Sequence, residues 1–218
     1  MERADFLLVG VGGQGIVTAS DILADVGLRA GYDVKKSEVH GMAQRGGAVT
    51  SHVRFGQRVY APLIGRGQAD FLVAFELLEA LRWAHCLHPE GTALVNIQSL
   101  PPLAVTSGQA RYPELEEVEQ ELARRARQVF FIEGLRTAQE LGNVRVVGTV
   151  MLGALSALLP IPADLWEDVL GEHVPNRYLE LNRQAFRSGR DFLSARLWPQ
   201  GIEEGTGAAR GHREAGLR

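Results

Sequence analysis

The chain has 218 residues, 45% of them hydrophobic, enough for a sizeable core and too many for a disordered polymer. Its 23 basic and 26 acidic residues leave a net charge of −3, which gives no electrostatic case for binding nucleic acid. A single cysteine, Cys86, excludes an internal disulfide and cannot by itself ligate zinc or an iron–sulfur cluster, so the expected setting is reducing and cytoplasmic. The longest apolar run, VVGTVMLGALSALLPI, is broken at Pro160 and is short for a membrane span, and no basic-then-apolar leader opens the sequence.

In chain order, DFLLVG reads as a buried first strand. IVTASDILADVGLRA follows with apolar residues at helical spacing (Ile16, Ala19, Leu23, Val26, Ala30), and Gly31 suits its C-terminal end. YDVKKSE reads as a second strand, so this stretch predicts a β-α-β unit with a parallel pair. VHGMAQRGG reads as a loop. AVTSHVRF and RVYAPLI are both β-rich and flank Gly56-Gln57, which predicts an antiparallel hairpin inserted where a second crossover helix would stand. Further on, ADFLVAFE, GTALVNIQ and QVFFIEG read as strands. LLEALRWAHCL, YPELEEVEQELARRARQ and LRTAQELG read as helices, and PPLAVTSG as a loop. The charged helix places acids early and arginines late, as the helix dipole favours. From Asn143 to Leu197 the pattern is helical, with Gly148, Gly153, Ala154 and Ala157 small enough for close packing. The expected fold class is α/β: a Rossmann-like, mainly parallel sheet with an inserted β-hairpin and a helical C-terminal region. One domain is expected over residues 1–197, followed by a polar, glycine-rich and disordered tail over 198–218.

Two segments carry the functional signal. The first is GVGGQG, where Gly10, Gly12 and Gly15 fit G-x-G-x-x-G between a strand and a helix; Gly13 and Gln14 complete the loop. Such a loop can offer free N–H groups and a helix N-terminus to an anion. Glu38, near the end of the second strand, falls where a ribose-binding acid would stand in a dinucleotide site. A nicotinamide or flavin, another phosphate ligand, and a purely architectural tight turn all remain open. The second segment is EVHGMAQRGG, where Glu38, His40, Gln44, Arg45, Gly46 and Gly47 suit a loop reaching a ligand or a partner subunit, against the plain alternative of a solvated loop. His40 and His52 lack the accompanying carboxylates of a metal site. Glu76, at the C-terminal end of a strand, is either a ligand-facing acid or a helix cap. Cys86, among apolar neighbours, reads as a packed core thiol.

GVGGQGIVTASDILADVGLRAGYDVKKSEVHGMAQRGGAVTSHVRFG resembles the gamma-type subunits (domain III) of the 2-oxoacid:ferredoxin oxidoreductases, in particular those of the indolepyruvate branch. ADFLVAFELLEALR, GTALVNIQ and ELGNVRVVGTVMLGALS extend the resemblance through most of the chain. It implies a non-catalytic subunit of an enzyme that decarboxylates 2-oxoacids oxidatively, forms an acyl-CoA and passes electrons to ferredoxin. It implies no cofactor bound by this chain alone. Thiamine diphosphate, Mg2+ and the iron–sulfur clusters belong to a catalytic alpha subunit, with CoA as co-substrate. The sequence agrees with this, since it has one cysteine and no acidic GDG…N diphosphate motif. Under this resemblance Gly10, Gly12, Gly13, Gln14 and Gly15 form a phosphate- or CoA-facing loop or serve architecture. Glu38, His40, Gln44, Arg45, Gly46, Gly47 and Glu76 lie near the partner or its active site, and none is catalytic. The implied partners are the catalytic alpha subunit and, through the complex, ferredoxin; homodimerisation of the isolated chain stays open. Two other readings remain: a free-standing NAD(P)-binding oxidoreductase and a ligand-free scaffold subunit.

Overall fold

A computed structural model describes residues 2–40 and 46–197. Six strands form one sheet in the order β2-β3-β1-β4-β5-β6, with β1 at Arg3–Val11, β2 at Asp33–His40, β3 at Ala48–Gly56, β4 at Ala69–Ala74, β5 at Leu87–Asn96 and β6 at Gln128–Ile132. β1, β4, β5 and β6 pair in parallel, and β3 is antiparallel to both β1 and β2. Eight α-helices occur among the described residues: α1 (Ile16–Arg29), α2 (Leu77–Trp83), α3 (Leu103–Thr106), α4 (Leu115–Ala123), α5 (Gly134–Glu140), α6 (Val147–Ser156), α7 (Ala163–His173) and α8 (Leu179–Leu197).

The continuous apolar run of β1 follows from burial on both faces. Phe6 and Leu8 enter a core built with α1, α6, α7 and α8, whereas Leu7 and Val9 enter a second core with α2 and α4. The small residues noted near the C-terminus have a sharp role where α6 meets α8. A Cβ at Gly153 would lie 2.0 Å from the Phe186 carbonyl oxygen, and one at Gly189 would lie 2.0 Å from that of Val150. Only glycine lets the two backbones approach so closely.

Two sequence expectations need correction. β1 and β2 are not a parallel pair, because β3 turns back from β2 and takes the place beside β1, with Leu7 opposite His52 and His52 opposite Ser37. The antiparallel hairpin is therefore β2–β3, not AVTSHVRF with RVYAPLI. The RVYAPLI segment forms no ladder, and side chains hold it instead. Val59 N–H donates to Asp33 Oδ2 at 2.8 Å, Arg54 Nη1 donates to the carbonyls of Ala61 (3.1 Å) and Leu63 (3.0 Å), and Ile64 N–H donates to His52 Nδ1 at 3.1 Å. Arg54 is itself fixed by a forked pair with the buried Asp5, both bonds at 2.9 Å. Burial pushes the Asp5 carboxyl up, but hydrogen bonds from Arg3 and Arg54 outweigh it and hold the group below its ordinary range. Four backbone polar groups of an extended, β-prone segment are thus met by side chains without a strand partner.

Smaller differences follow the same logic. PPLAVTSG contains the four-residue α3 after Pro102. The charged helix ends at Ala123, so Arg124 and Arg125 lie past its last residue, and Arg125 Nε reaches back to Glu121 at 2.7 Å. Helix α1 ends as expected, with Gly31 at φ 88°. One edge of the sheet is β2, which carries the chain's two lysines, Lys35 and Lys36; edge lysines oppose unwanted strand pairing. The tail over 198–218 lies outside the described residues.

Candidate functional site

The parallel strands bring the ends of β1, β4, β5 and β6 to one edge of the sheet. Ligands of open α/β sheets gather at this edge, at the crevice where the strand order reverses. Here the reversal lies between β1 and β4, and Gln14 spans it. Its Oε1 accepts from Val11 N–H at 2.8 Å, and its Nε2 donates to the Phe75 carbonyl at 2.9 Å and to Gln98 Oε1 at 3.0 Å. Asn96, fully buried at the end of β5, continues the network. Its Nδ2 donates to the same Phe75 carbonyl (3.0 Å) and to Gln98 Oε1 (3.1 Å), and its Oδ1 accepts from Leu135 N–H (3.3 Å).

The glycines have separable reasons. A Cβ at Gly10 would lie 2.7 Å from Gln14 Oε1 and 2.9 Å from Phe75 Cβ, so this position must be bare for the amide to reach across. Gly13 and Gly15 adopt φ of 107° and 80°, which L side chains rarely take, yet an added Cβ at either meets no protein atom within 4 Å. That side of the loop opens onto a cleft of about 420 Å3 lined by Gly13, Gln14, Gly15, Gln98, Leu135 and Arg145, among others. Among the described residues, Arg145 is the one cation in that lining, and Asn143 Oδ1 fixes its backbone N–H at 3.0 Å. Gly15 precedes the first residue of α1, so the helix N-terminus faces the same opening.

The second motif meets the first directly. Gly12 N–H donates to the Gly47 carbonyl at 2.8 Å, and Gly46 N–H approaches the Gly12 carbonyl at 3.5 Å. Gly12 of the first motif and Gly46-Gly47 of the second therefore lie side by side. Gln44 and Arg45 lie outside the described residues. His40 is placed by its backbone alone, opposite Val49. Glu38 is drawn elsewhere: it pairs with Lys36 Nζ at 2.6 Å, and β3 stands between its strand and β1. With about 4.8 Å per strand spacing, its strand lies one position further from β1 than in a dinucleotide-binding sheet, where the acid's strand adjoins β1. Glu76 acts as the cap of α2. Its Oε2 accepts from Glu79 N–H at 2.9 Å, and its Oε1 accepts from Leu100 N–H at 3.0 Å and from the Tyr112 hydroxyl. Burial pushes its carboxyl above the ordinary range, backbone N–H donors oppose this, and the nearby Glu79 adds to the rise. Cys86 is buried in the turn after α2, and burial pushes its thiol up.

Asn96, Gln98 and Arg145 were not singled out in the sequence. For the first two a signal existed, since NIQ places amides directly after the apolar strand GTALV. Arg145 sits in a short turn with no periodicity to mark it. Among the described residues, no group of three or more His, Cys, Asp or Glu side chains is arranged to hold a metal, and no helix is long and apolar enough to cross a membrane.

The fold is one seen in solved oxidoreductase subunits. The chain matches the gamma subunit of a keto/oxoacid ferredoxin oxidoreductase from Geobacter sulfurreducens with a TM-score of 0.66 at 24% identity, covering 88% of this chain and 99% of that one. It matches a 2-oxoglutarate:ferredoxin oxidoreductase from Magnetococcus marinus with a TM-score of 0.71 at 22% identity, covering 89% of this chain and 32% of that one. The chain belongs to the pyruvate ferredoxin/flavodoxin oxidoreductase family, whose model matches residues 5–192. It is 38% identical over 192 residues to the indolepyruvate oxidoreductase subunit IorB of Pyrococcus horikoshii, covering 87% of this chain and 95% of that protein.

Proposed function

We propose that this chain is the non-catalytic, gamma-type subunit of an indolepyruvate-type 2-oxoacid:ferredoxin oxidoreductase. The observation that carries the reading is the near full-length kinship with the indolepyruvate oxidoreductase subunit, together with the contact of Gly12 with Gly46 and Gly47. The assembled enzyme converts an aryl 2-oxoacid and CoA to acyl-CoA and CO2 and passes the electrons to ferredoxin. In this assignment thiamine diphosphate, Mg2+ and the iron–sulfur clusters reside on the catalytic alpha subunit, and the assembly works in the cytoplasm. The single cysteine of this chain supports that division.

Within the assembly, the loop from Gly10 to Gly15 faces CoA. The N-terminus of α1 and the Arg145 guanidinium present positive charge to its phosphates, while the amide network under the loop keeps the backbone fixed. Glu38, His40, Gln44, Arg45, Gly46 and Gly47 belong to the strand and loop that meet the alpha subunit. The place of Glu38 beyond β3 argues against a nicotinamide site.

Gly15→Asn tests the loop assignment. Asparagine tolerates a left-handed backbone and would project into open space. In the reconstituted enzyme the expected result is a raised KM for CoA with the KM for the 2-oxoacid unchanged. A parental KM for CoA in a folded, assembled variant would show that the loop serves architecture alone.

A further inference from the structure

On the other side of the glycine loop lies a second cleft, of about 380 Å3, bounded by Gly12, Gly46 and Ala48 on one side and by Leu78, Leu100, Pro101 and Pro102 on the other. Glu76, Glu79 and Arg82 also line it. The two acids differ in one respect. Glu76 has donors on both oxygens, as described above. Glu79 is only 2% exposed, and its Oε1 is paired with Arg82, but its Oε2 is shielded from solvent and has no hydrogen-bond partner among the described residues. Buried carboxylate oxygens are almost always paired, because leaving one without a donor forfeits its hydration with nothing in return. Arg82 is about half exposed and reaches only the one oxygen, so it does not complete the site.

We infer that Glu79 receives a cationic side chain of the catalytic partner subunit, inserted into this cleft. The inference rests on the subunit reading above. Among the described residues the cleft sets two carboxylates against one guanidinium, so an incoming cation is the complementary occupant. The rest of the wall suits its stem: Leu78, Leu100, Pro101 and Pro102 give an apolar flank for methylenes, while the head reaches the acid. Leu103, next to the two prolines, is 82% exposed and extends the apolar rim towards the partner. The terminal torsion of a glutamate is soft, so a turn of the carboxylate with an outward swing of Arg82 presents Oε2 to the incoming group. A metal ion is a poorer occupant, since no cluster of metal-ligating side chains exists among the described residues.

The test measures the affinity of the purified chain for the purified catalytic subunit over a range of salt concentrations. Glu79→Gln keeps the shape and the acceptor for Arg82 but removes the charge. It is expected to fold with a melting temperature no lower than the parent's, to bind the catalytic subunit tenfold or more weakly, and to show a flatter salt dependence. Glu79→Asp withdraws the charge by one methylene and is expected to give an intermediate loss, which keeps the inference testable should the glutamine variant fail to fold. Arg82→Gln removes the competitor and is expected to bind at least as tightly as the parent. Parental affinity and salt dependence in Glu79→Gln would overturn the inference while leaving the subunit reading intact. So would a Glu79→Gln variant that loses only self-association. A parent chain that does not bind the catalytic subunit at all would overturn both.

Discussion

Replacing Gln14 with alanine removes three hydrogen bonds at once, to Val11 N–H, the Phe75 carbonyl and Gln98 Oε1. Two of the three partners keep a bond, because Phe75 O and Gln98 Oε1 still accept from Asn96 Nδ2. Only Val11 N–H is orphaned, at a half-buried strand end. With about 1 kcal/mol net for each hydrogen bond, the loss is about 2–3 kcal/mol, without the heavier penalty of a sealed orphan. In a chain of this size each kcal/mol lowers Tm by about 2–4 °C, so the expected drop is about 4–12 °C. Gln14→Glu sharpens the experiment: its ionised carboxylate turns an oxygen towards two acceptors, and protonation restores one donor. Its deficit relative to the parent should therefore be larger at pH 8 than at pH 5. Differential scanning calorimetry of the isolated chain reads both effects. A Gln14→Ala melting temperature within about 1 °C of the parent would refute the account of Gln14 as the strut across the β1–β4 crevice.

Gly153→Ala is expected to cost about 2 kcal/mol or more, because the added methyl meets the Phe186 carbonyl and α6 must move from α8. Gly171→Ala, whose Cβ makes an ordinary 3.7 Å contact with Leu179, should instead raise Tm by helix propensity; the reverse order in thermal melts would contradict the packing described. His52 gives a pH signature. Burial and the nearby Arg54 hold its imidazole below the ordinary value of 6.5, so its contribution to stability is complete above that value and is lost as pH falls through the folded pKa. Below pH 6.5 the parent's Tm should fall more steeply than that of His52→Asn, which keeps an acceptor for Ile64 N–H and does not titrate; identical slopes would rule out this role.

What the sequence conveyed, and what it did not, divides along physical lines. β1, α1, β4, β5 and α8 were legible because periodicity and burial agree in them. The place of β3 was not, because AVTSHVRF is equally competent to pair with the segment before it or after it; the turn chemistry at Gly56-Gln57 favoured the wrong neighbour. What decides the pairing is long-range. Asp33, His52 and Arg54 satisfy the backbone of RVYAPLI from the side, which leaves β3 free to enter between β1 and β2. At the candidate site the glycines were legible as a pattern, but their separate reasons were not. Gly10 is bare for the sake of Gln14, whereas Gly13 and Gly15 serve a backbone turn beside an open cleft. The amides of NIQ stand out after an apolar strand, but their reach to Gln14 and Phe75 follows only from the place of β5 two strands from β1. Local pattern conveys which elements form, and contacts far apart in sequence settle how their ends meet.

We propose that this chain contributes to a 2-oxoacid:ferredoxin oxidoreductase only through its partner. Reconstitution measures this most directly: reduction of a viologen acceptor with indolepyruvate and CoA, for the chain alone, for the catalytic subunit alone and for the two together. No turnover is expected from the chain alone, and CoA-dependent turnover is expected from the stoichiometric pair. Turnover by the isolated chain, or a catalytic subunit whose activity is the same with and without it, would contradict the account.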